Sequence, residues 1–521
     1  MRLARFVTTV ALVTAFGVPA AAGQANRKLD NSLRAATAQG CTGTKSVIIR
    51  TAPGQREALR KSLMAQGRRV KGEFPALDAM TVDVSCADLN ALAGFRETAS
   101  ISDNAPVSGH QLELGTQDPA TTIEETADAG ALSAFSSKSV ASGTHSSQAT
   151  SRLNEALAAR DLQSRLFSTL GVSSALGATI SFSGDFTNDN VPSIGVAVID
   201  SGIAAGLDFG TRVSAFYDFT NGDIRATAPS DAYGHGTHVA GLAASAYVGV
   251  APSARLIGLK VLNAKGQGTT DNVIRAIEFA IANKSVLKIH VINLSLGHPI
   301  FEAAATDPLV QAVEHASRAG IMVVVSAGNF GRNRTTGLIG YAGIASPGNA
   351  PSGFSVGSVQ TFDTMSRDDD RIAPYSSRGP SWYDGFAKPD ISAPGDNLLS
   401  VASVGSSLRI AQELRGNSGN YMRLSGTSMA AGVVSGMAAL VLQNNPKLTP
   451  NALKMVLQYS SIPVKNDEGT YANVLTQGAG SINASGAVAL ARAINPAAVL
   501  GEKWLTAHIM PSTVIGGQTY A

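Results

Sequence analysis

Val198-Ile199-Asp200-Ser201-Gly202-Ile203, Gly234-His235-Gly236-Thr237-His238-Val239-Ala240-Gly241 and Ser425-Gly426-Thr427-Ser428-Met429-Ala430 succeed one another along the chain, and their order is its most informative feature. A serine hydroxyl attacks a carbonyl well only when an imidazole takes its proton. That imidazole in turn needs a carboxylate to hold its tautomer and stabilise the imidazolium. Each stretch supplies one of these groups: Asp200, His235 and Ser428. Order discriminates between scaffolds, because unrelated folds carry the same constellation in different sequence orders. Asp200 closes the apolar run 194–199, which reads as a buried strand with a polar group at its end. Ser428 opens a run of small residues at helical spacing, so its backbone N–H falls at the positive end of a helix.

From residue 194 onward, apolar strand-like runs alternate with helical stretches: 194–199, 256–262, 273–281, 290–294, 309–316, 321–325 and 428–442. Such alternation predicts an α/β fold, a parallel sheet with helices on both faces and binding residues at strand ends. Between residues 45 and 107 the pattern is strand, helix, strand, strand, helix, strand, a small α+β, ferredoxin-like order.

The three motifs, in the order Asp, His, Ser, resemble those of the subtilisin-like serine protease (subtilase) family over residues 194–458. The resemblance implies a serine endopeptidase working through an acyl-enzyme, with His235 as base and His238 structural. It assigns Asn329, after the strand-ending Gly328, as the side-chain donor to the oxyanion. It places an extended substrate between Ser295-Leu296-Gly297 and Gly266-Gln267-Gly268, with Ala327, Gly328 and Leu296 lining the first side-chain pocket and Phe330 beside the oxyanion residue. Nothing acidic lies there, so apolar or aromatic residues are expected before the cut bond. The proline of Ser346-Pro347-Gly348 is cis in the family. The ferredoxin-like segment takes the place of the family's propeptide, an intramolecular inhibitor removed by self-processing.

Other readings compete. His235 and His238 are three apart, a spacing that also suits zinc, but no third ligand accompanies them. Gly353-Phe354-Ser355-Val356-Gly357 matches the nucleophile-elbow pattern, yet residues 358–362 beyond it are strand-like rather than helical. A catalytically inactive binding module on the same fold, or an acyl-enzyme transpeptidase or ligase, are the alternatives to hydrolysis. The second rests on a departure: the family has proline four residues past the nucleophile, where this chain has Gly432. That change is expected to loosen a turn beside the leaving group. A further departure is the short link between Gly241 and Gly249, which offers no carboxylate. No cofactor, no metal and no strong calcium site are therefore expected. Asp208 resembles a family calcium ligand but stands alone, and Asp368-Asp369-Asp370 reads as a solvated loop.

The chain has 521 residues, too many for one ordinary domain, and a net charge of +3, too mild to suggest nucleic acid as a partner. Residues 1–22 run from basic through apolar to small, as in a cleaved secretory signal; after its removal no membrane association is expected. The expected division is signal 1–22, propeptide 23–107, mobile linker 108–150, catalytic domain 151–495 and C-terminal tail 496–521. The expected partners are protein or peptide substrates and the chain's own propeptide. Both cysteines, Cys41 and Cys86, fall in the propeptide segment, where export permits a bridge and spacing leaves free thiols equally open.

Overall fold

Leu59 and Leu63 stand four apart and are fully buried, so one stripe of the helix Arg56–Ala65 seals a small sheet. The computed structural model describes residues 26–109, 146–172, 192–333, 335–414, 419–466, 468–510, 512–515 and 517–520. The expected signal (1–22) and most of the expected linker (110–145) lie outside these residues.

The chain divides into two units after Asp103. The first holds α1 (Asn31–Ala38), β1 (Thr44–Thr51), α2 (Arg56–Ala65), β2 (Val70–Phe74), β3 (Ala79–Ser85), α3 (Leu89–Ala93) and β4 (Thr98–Asp103). Its strands pair antiparallel in the order β2-β3-β1-β4, the arrangement expected for the ferredoxin-like segment. Val47, Ile49, Met80, Val82 and Ile101 point inward from the sheet onto Leu59, Leu63, Leu89 and Leu92. Burial of each large side chain contributes about 1.5–3 kcal/mol. Asp30 caps α1, accepting from the backbone N–H of Leu33 at 2.7 Å and of Asp103 at 2.6 Å. Cys41 and Cys86 are joined by a disulfide with Cα atoms 5.9 Å apart.

The second unit begins with β5 (Pro106–Gly109) and resumes at α4 (Ser146–Leu170). The expected linker is thus trimmed at both ends. Ser108 and Gly109 are strand because neighbouring strands pair with their backbone, and 146–150 are helix because α4 starts earlier than its apolar spacing shows. The chain continues with β6 (Gly195–Asp200), β7 (Val213–Asp218), β8 (Arg225–Ala226), α5 (His235–Ala244), β9 (Arg255–Lys260), β10 (Gln267–Thr269), α6 (Thr270–Ala282), β11 (Ile289–Leu294) and β12 (Leu296–Gly297). Next come α7 (Pro308–Arg318), β13 (Met322–Ser326), β14 (Phe354–Gln360), β15 (Arg371–Ile372), β16 (Ile391–Pro394), β17 (Leu398–Val401), β18 (Tyr421–Leu424) and α8 (Thr427–Asn444). Among the described residues the main sheet runs β15-β14-β13-β11-β6-β9-β7-β8, with β16 beside β14. All its pairings are parallel except those of the edge strands β8 and β15. Ser355 is the second residue of β14, and strand rather than helix continues beyond it, so no elbow forms there.

α8 is buried all round from Thr427 to Leu442, which its uniformly apolar or small composition permits. It lies against α5 along a glycine seam. A Cβ at Gly432 would come 3.0 Å from the carbonyl oxygen of Val239, and one at Gly436 would come 2.7 Å from that of Ala243. Gly432 therefore sits inside a continuous helix facing α5, not in a loosened turn, because close helix approach is what selects its small size. The expected tail, 496–521, contains an antiparallel pair, Thr513–Ile515 with Gln518–Tyr520. Ile515 is buried and the Tyr520 hydroxyl accepts from the backbone N–H of Arg367 at 3.2 Å.

Candidate active site

The parallel sheet delivers Asp200 at the C-terminal end of β6, where the chain leaves the sheet and its side chain reaches the crevice above the strand ends. α5 begins with His235, whose Nδ1–H donates to Asp200 Oδ1 at 2.8 Å and lies 2.9 Å from Oδ2. Both residues are wholly buried. With Nδ1 protonated, Nε2 is left as the acceptor, and it has no hydrogen-bond partner. Gly236 permits this approach: a Cβ there would fall 2.2 Å from the carbonyl oxygen of Gly202.

Ser428, in the first turn of α8, donates its Oγ–H to the carbonyl oxygen of Ser295 at 2.9 Å and not to His235. Ser295 Oγ donates back to the carbonyl oxygen of Ser428 at 3.0 Å. Asn329 lies just beyond β13. Its Oδ1 accepts from the N–H of Thr427 at 3.1 Å and from Thr427 Oγ1 at 3.0 Å, while its Nδ2 is buried without a partner. His235 Nε2 is thus open to accept a proton, and Asn329 Nδ2 to donate to an oxygen.

β5 occupies a groove beside these groups. It is the middle strand of a three-stranded antiparallel sheet, with Gly268 opposite Val107 on one side and Leu296 and Gly297 opposite Gly109 and Ser108 on the other. Val107 is buried. At Gly109 the backbone lies against the imidazole: a Cβ would come 3.0 Å from His235 Cε1 and 3.1 Å from Nε2. Of the residues expected to contact substrate, Gly268, Leu296 and Gly297 pair with this strand. Gly266 and Gly328 stand outside the ladder, and Ser295 engages Ser428 instead. Phe330 is half exposed, and Ser346-Pro347 is cis, as are Gly379-Pro380 and Lys388-Pro389.

Three supporting residues escaped the sequence reading. Asp231 caps α5 from four positions upstream. Its Oδ1 accepts the N–H of Gly234 at 2.7 Å and of Tyr233 at 3.1 Å, and its Oδ2 accepts from the N–H and hydroxyl of Thr237 at 2.9 and 2.7 Å. Burial pushes its carboxyl pKa up, against these hydrogen bonds. An aspartate just ahead of a helix start was the available signal. Ser201 accepts the N–H of Gly236 at 2.9 Å, tying the Asp200 loop to α5, and Thr427 orients Asn329.

His238 is not a metal ligand. Its Nε2 lies 3.1 Å from the carbonyl oxygens of both Leu398 and Met422, so that nitrogen carries the proton, and burial depresses its pKa to about 3. Asp208 does not fit a calcium ion, because its carboxylate accepts from Ser245 Oγ and from the Tyr421 hydroxyl. Asp368-Asp369-Asp370 is not a solvated loop: Asp370 is buried with Arg367 Nε at 3.6 Å, and Asp369 accepts from Thr364. Among the described residues no cluster of three metal-binding side chains occurs, and no helix is long and apolar enough to cross a membrane.

Asp200, His235 and Ser428 thus lie at the strand ends of the parallel sheet and the first turns of α5 and α8. The model of the subtilase family matches residues 192–495, more than half of the chain, and the chain belongs to that family. It is 40% identical over 305 residues to serine protease AprX of Bacillus subtilis, covering 56% of this chain and 65% of that one. It is 34% identical over 267 residues to subtilisin DY of Bacillus licheniformis, covering 50% of this chain and 81% of that one. Fervidolysin of Fervidobacterium pennivorans, a keratinolytic enzyme related to subtilisin, shares the fold with a TM-score of 0.59 at 21% identity, over 86% of this chain and 61% of that one. The matches thus span a little under two thirds of AprX and of fervidolysin.

Proposed function

We propose that the chain is a secreted serine endopeptidase, made as a precursor that cuts itself, with Asp200, His235 and Ser428 as its triad. The observation that carries this reading is the seat of β5, held by main-chain pairing on both sides with Gly109 against the His235 imidazole. Pairing of that sort accepts many sequences, because it reads backbone.

In this reading the Ser428 hydroxyl leaves the Ser295 carbonyl, gives its proton to His235 Nε2 and adds to the substrate carbonyl carbon. Asp200 stabilises the resulting imidazolium through Nδ1–H. Negative charge develops on the carbonyl oxygen and is received by Asn329 Nδ2 and by the N–H of Ser428 at the start of α8. Such a helix end leaves its first N–H groups without intrahelical acceptors. Removing one such donor costs about 10²- to 10³-fold in turnover. The imidazolium then protonates the departing amine, and water, deprotonated by His235, resolves the acyl-enzyme. Residues 1–22 act as the export signal, and the first unit serves as the propeptide.

Expression of the full chain should release an N-terminal fragment ending within two residues of Gly109, and Ser428→Ala should leave the precursor uncut. Maturation of the alanine variant at the wild-type rate in a protease-deficient host would sink self-processing. Failure of the wild type to react with a fluorophosphonate at Ser428 would sink the peptidase reading itself.

A further inference from the structure

The groove holds more than a backbone. Two residues ahead of β5, Asn104 meets the first turn of α6 through both ends of its side-chain amide. Its Oδ1 accepts the N–H of Asp271 at 2.9 Å, and its Nδ2 donates to Asp271 Oδ1 at 2.9 Å. The next residue, Ala105, is anchored by its carbonyl oxygen, which accepts the N–H and the hydroxyl of Thr270, both at 3.0 Å. Asp271 is itself held in place: Thr269 Oγ1 donates to Oδ1 at 2.6 Å, and Arg275 lies 3.6 Å from Oδ2. Asp271 and Thr270 are both buried.

We infer that Asp271 and the N-terminal N–H groups of α6 form a substrate subsite that selects a carboxamide side chain, asparagine in particular, five residues ahead of the position that Gly109 occupies. This rests on the reading that β5 lies where substrate lies. A carboxamide offers one acceptor and one donor in a plane, and the pair formed by the Asp271 N–H and carboxylate is its complement. Aspartate at the same place would set a second carboxylate against Asp271, whereas alanine would leave the N–H without this acceptor and the carboxylate short of one donor. Glutamine is one methylene too long to reach both while the carbonyl of the residue after it stays paired with Thr270. A site built to hydrogen-bond a polar group rejects analogues lacking it far more sharply than an apolar pocket does. The groove thereby combines a ladder indifferent to sequence with one distal position that is not.

The test uses the mature enzyme and end-labelled peptides of residues 102–114, with Asn, Ala or Asp at position 104, beside a truncated peptide of residues 106–114. Each kcat/KM is expressed relative to the truncated peptide in the same enzyme, so general damage by a substitution cancels. The wild type is expected to prefer the Asn peptide to the Ala peptide by about tenfold, the scale of a hydrogen bond to a charged group, and to cut the Asp peptide more slowly still. Asp271→Ala, which keeps the backbone N–H, should shrink the preference for Asn over Ala to a few fold and remove the penalty against the Asp peptide. Asp271→Asn, which can donate to a carboxylate, should abolish the penalty against the Asp peptide. Equal rates for all three peptides in the wild type, or discrimination undiminished by Asp271→Ala, would overturn the subsite while leaving the peptidase intact. No cleavage of any peptide, the truncated one included, would overturn the peptidase reading and the subsite with it.

Discussion

Reducing the Cys41–Cys86 disulfide should unfold the N-terminal unit and, under the proposed propeptide role, abolish inhibition of the enzyme by it. The bond links positions 45 apart, and the loop-closure entropy it removes from the unfolded chain amounts to ~4 kcal/mol at about 25 °C. A unit of this size has roughly 4–12 kcal/mol of total stability, so the bond accounts for a third of it or more. The core packed around Leu33, Leu59, Leu63 and Met80 supplies the remainder. The chain's 2 cysteines both lie in this unit, so a reductant leaves the catalytic unit chemically untouched. The assay is urea unfolding of residues 26–109 with and without dithiothreitol, then inhibition of mature enzyme at a fixed molar excess. With a denaturant slope of about 1 kcal/mol per molar urea, the midpoint should fall by several molar, or the reduced segment should be unfolded without urea. Inhibition should disappear in parallel. A midpoint shift below about 0.5 M, with inhibition unchanged, would refute the reasoning, since the packed core would then hold the unit without its cross-link.

Gly436→Ala places a methyl group 2.7 Å from the carbonyl oxygen of Ala243. It should cost about 1–3 kcal/mol as overpacking and lower kcat by displacing the Ser428 helix from the His235 helix; unchanged Tm and kcat would show that the seam has slack. Burial pushes Asp370 up to about 7, so between about pH 4 and pH 7 the native state holds a proton that the unfolded state has released. Stability therefore falls as pH rises through that window, by at most about 4 kcal/mol, and Asp370→Asn should flatten the fall in Tm; an unaltered slope would assign it to other groups. Thermal unfolding of mature Ser428→Ala protein in millimolar calcium and in excess chelator should differ little. A site at a hundredfold excess over its Kd would add about 2.7 kcal/mol, and a drop of many degrees on chelation would reveal one.

The catalytic unit was legible in outline because its signals are local. A buried parallel strand is a continuous apolar run, so β6, β9, β11 and β13 could be read from residues 194–199, 256–262, 290–294 and 321–325. The ferredoxin-like unit was legible for the same reason, as alternation and helical spacing switch within sixty residues. The strand pairing of Ser108 and Gly109 and the hairpin near the C-terminus were missed. Their composition is that of loops: pairing with the distant strands β10 and β12 makes the first a strand, and the second is a local hairpin too short to show alternation.

At the site, the chain order of Asp200, His235 and Ser428 told which scaffold would present them, since the three groups sit on motifs with short-range character of their own. What tertiary structure alone decided is which groups hold them. Thr427 turns the Asn329 amide across 98 positions of chain, and Asp271 meets Asn104 across 167. Hydrogen bonds and close packing act over a few ångströms in space and leave no mark in linear spacing, so Gly432 read as a loosened turn until α5 was found against it. The carboxylates make the same point: Asp208 and Asp370 differ from a calcium ligand and a solvated loop only through Ser245, Tyr421 and Arg367, which the fold brings from elsewhere or turns inward.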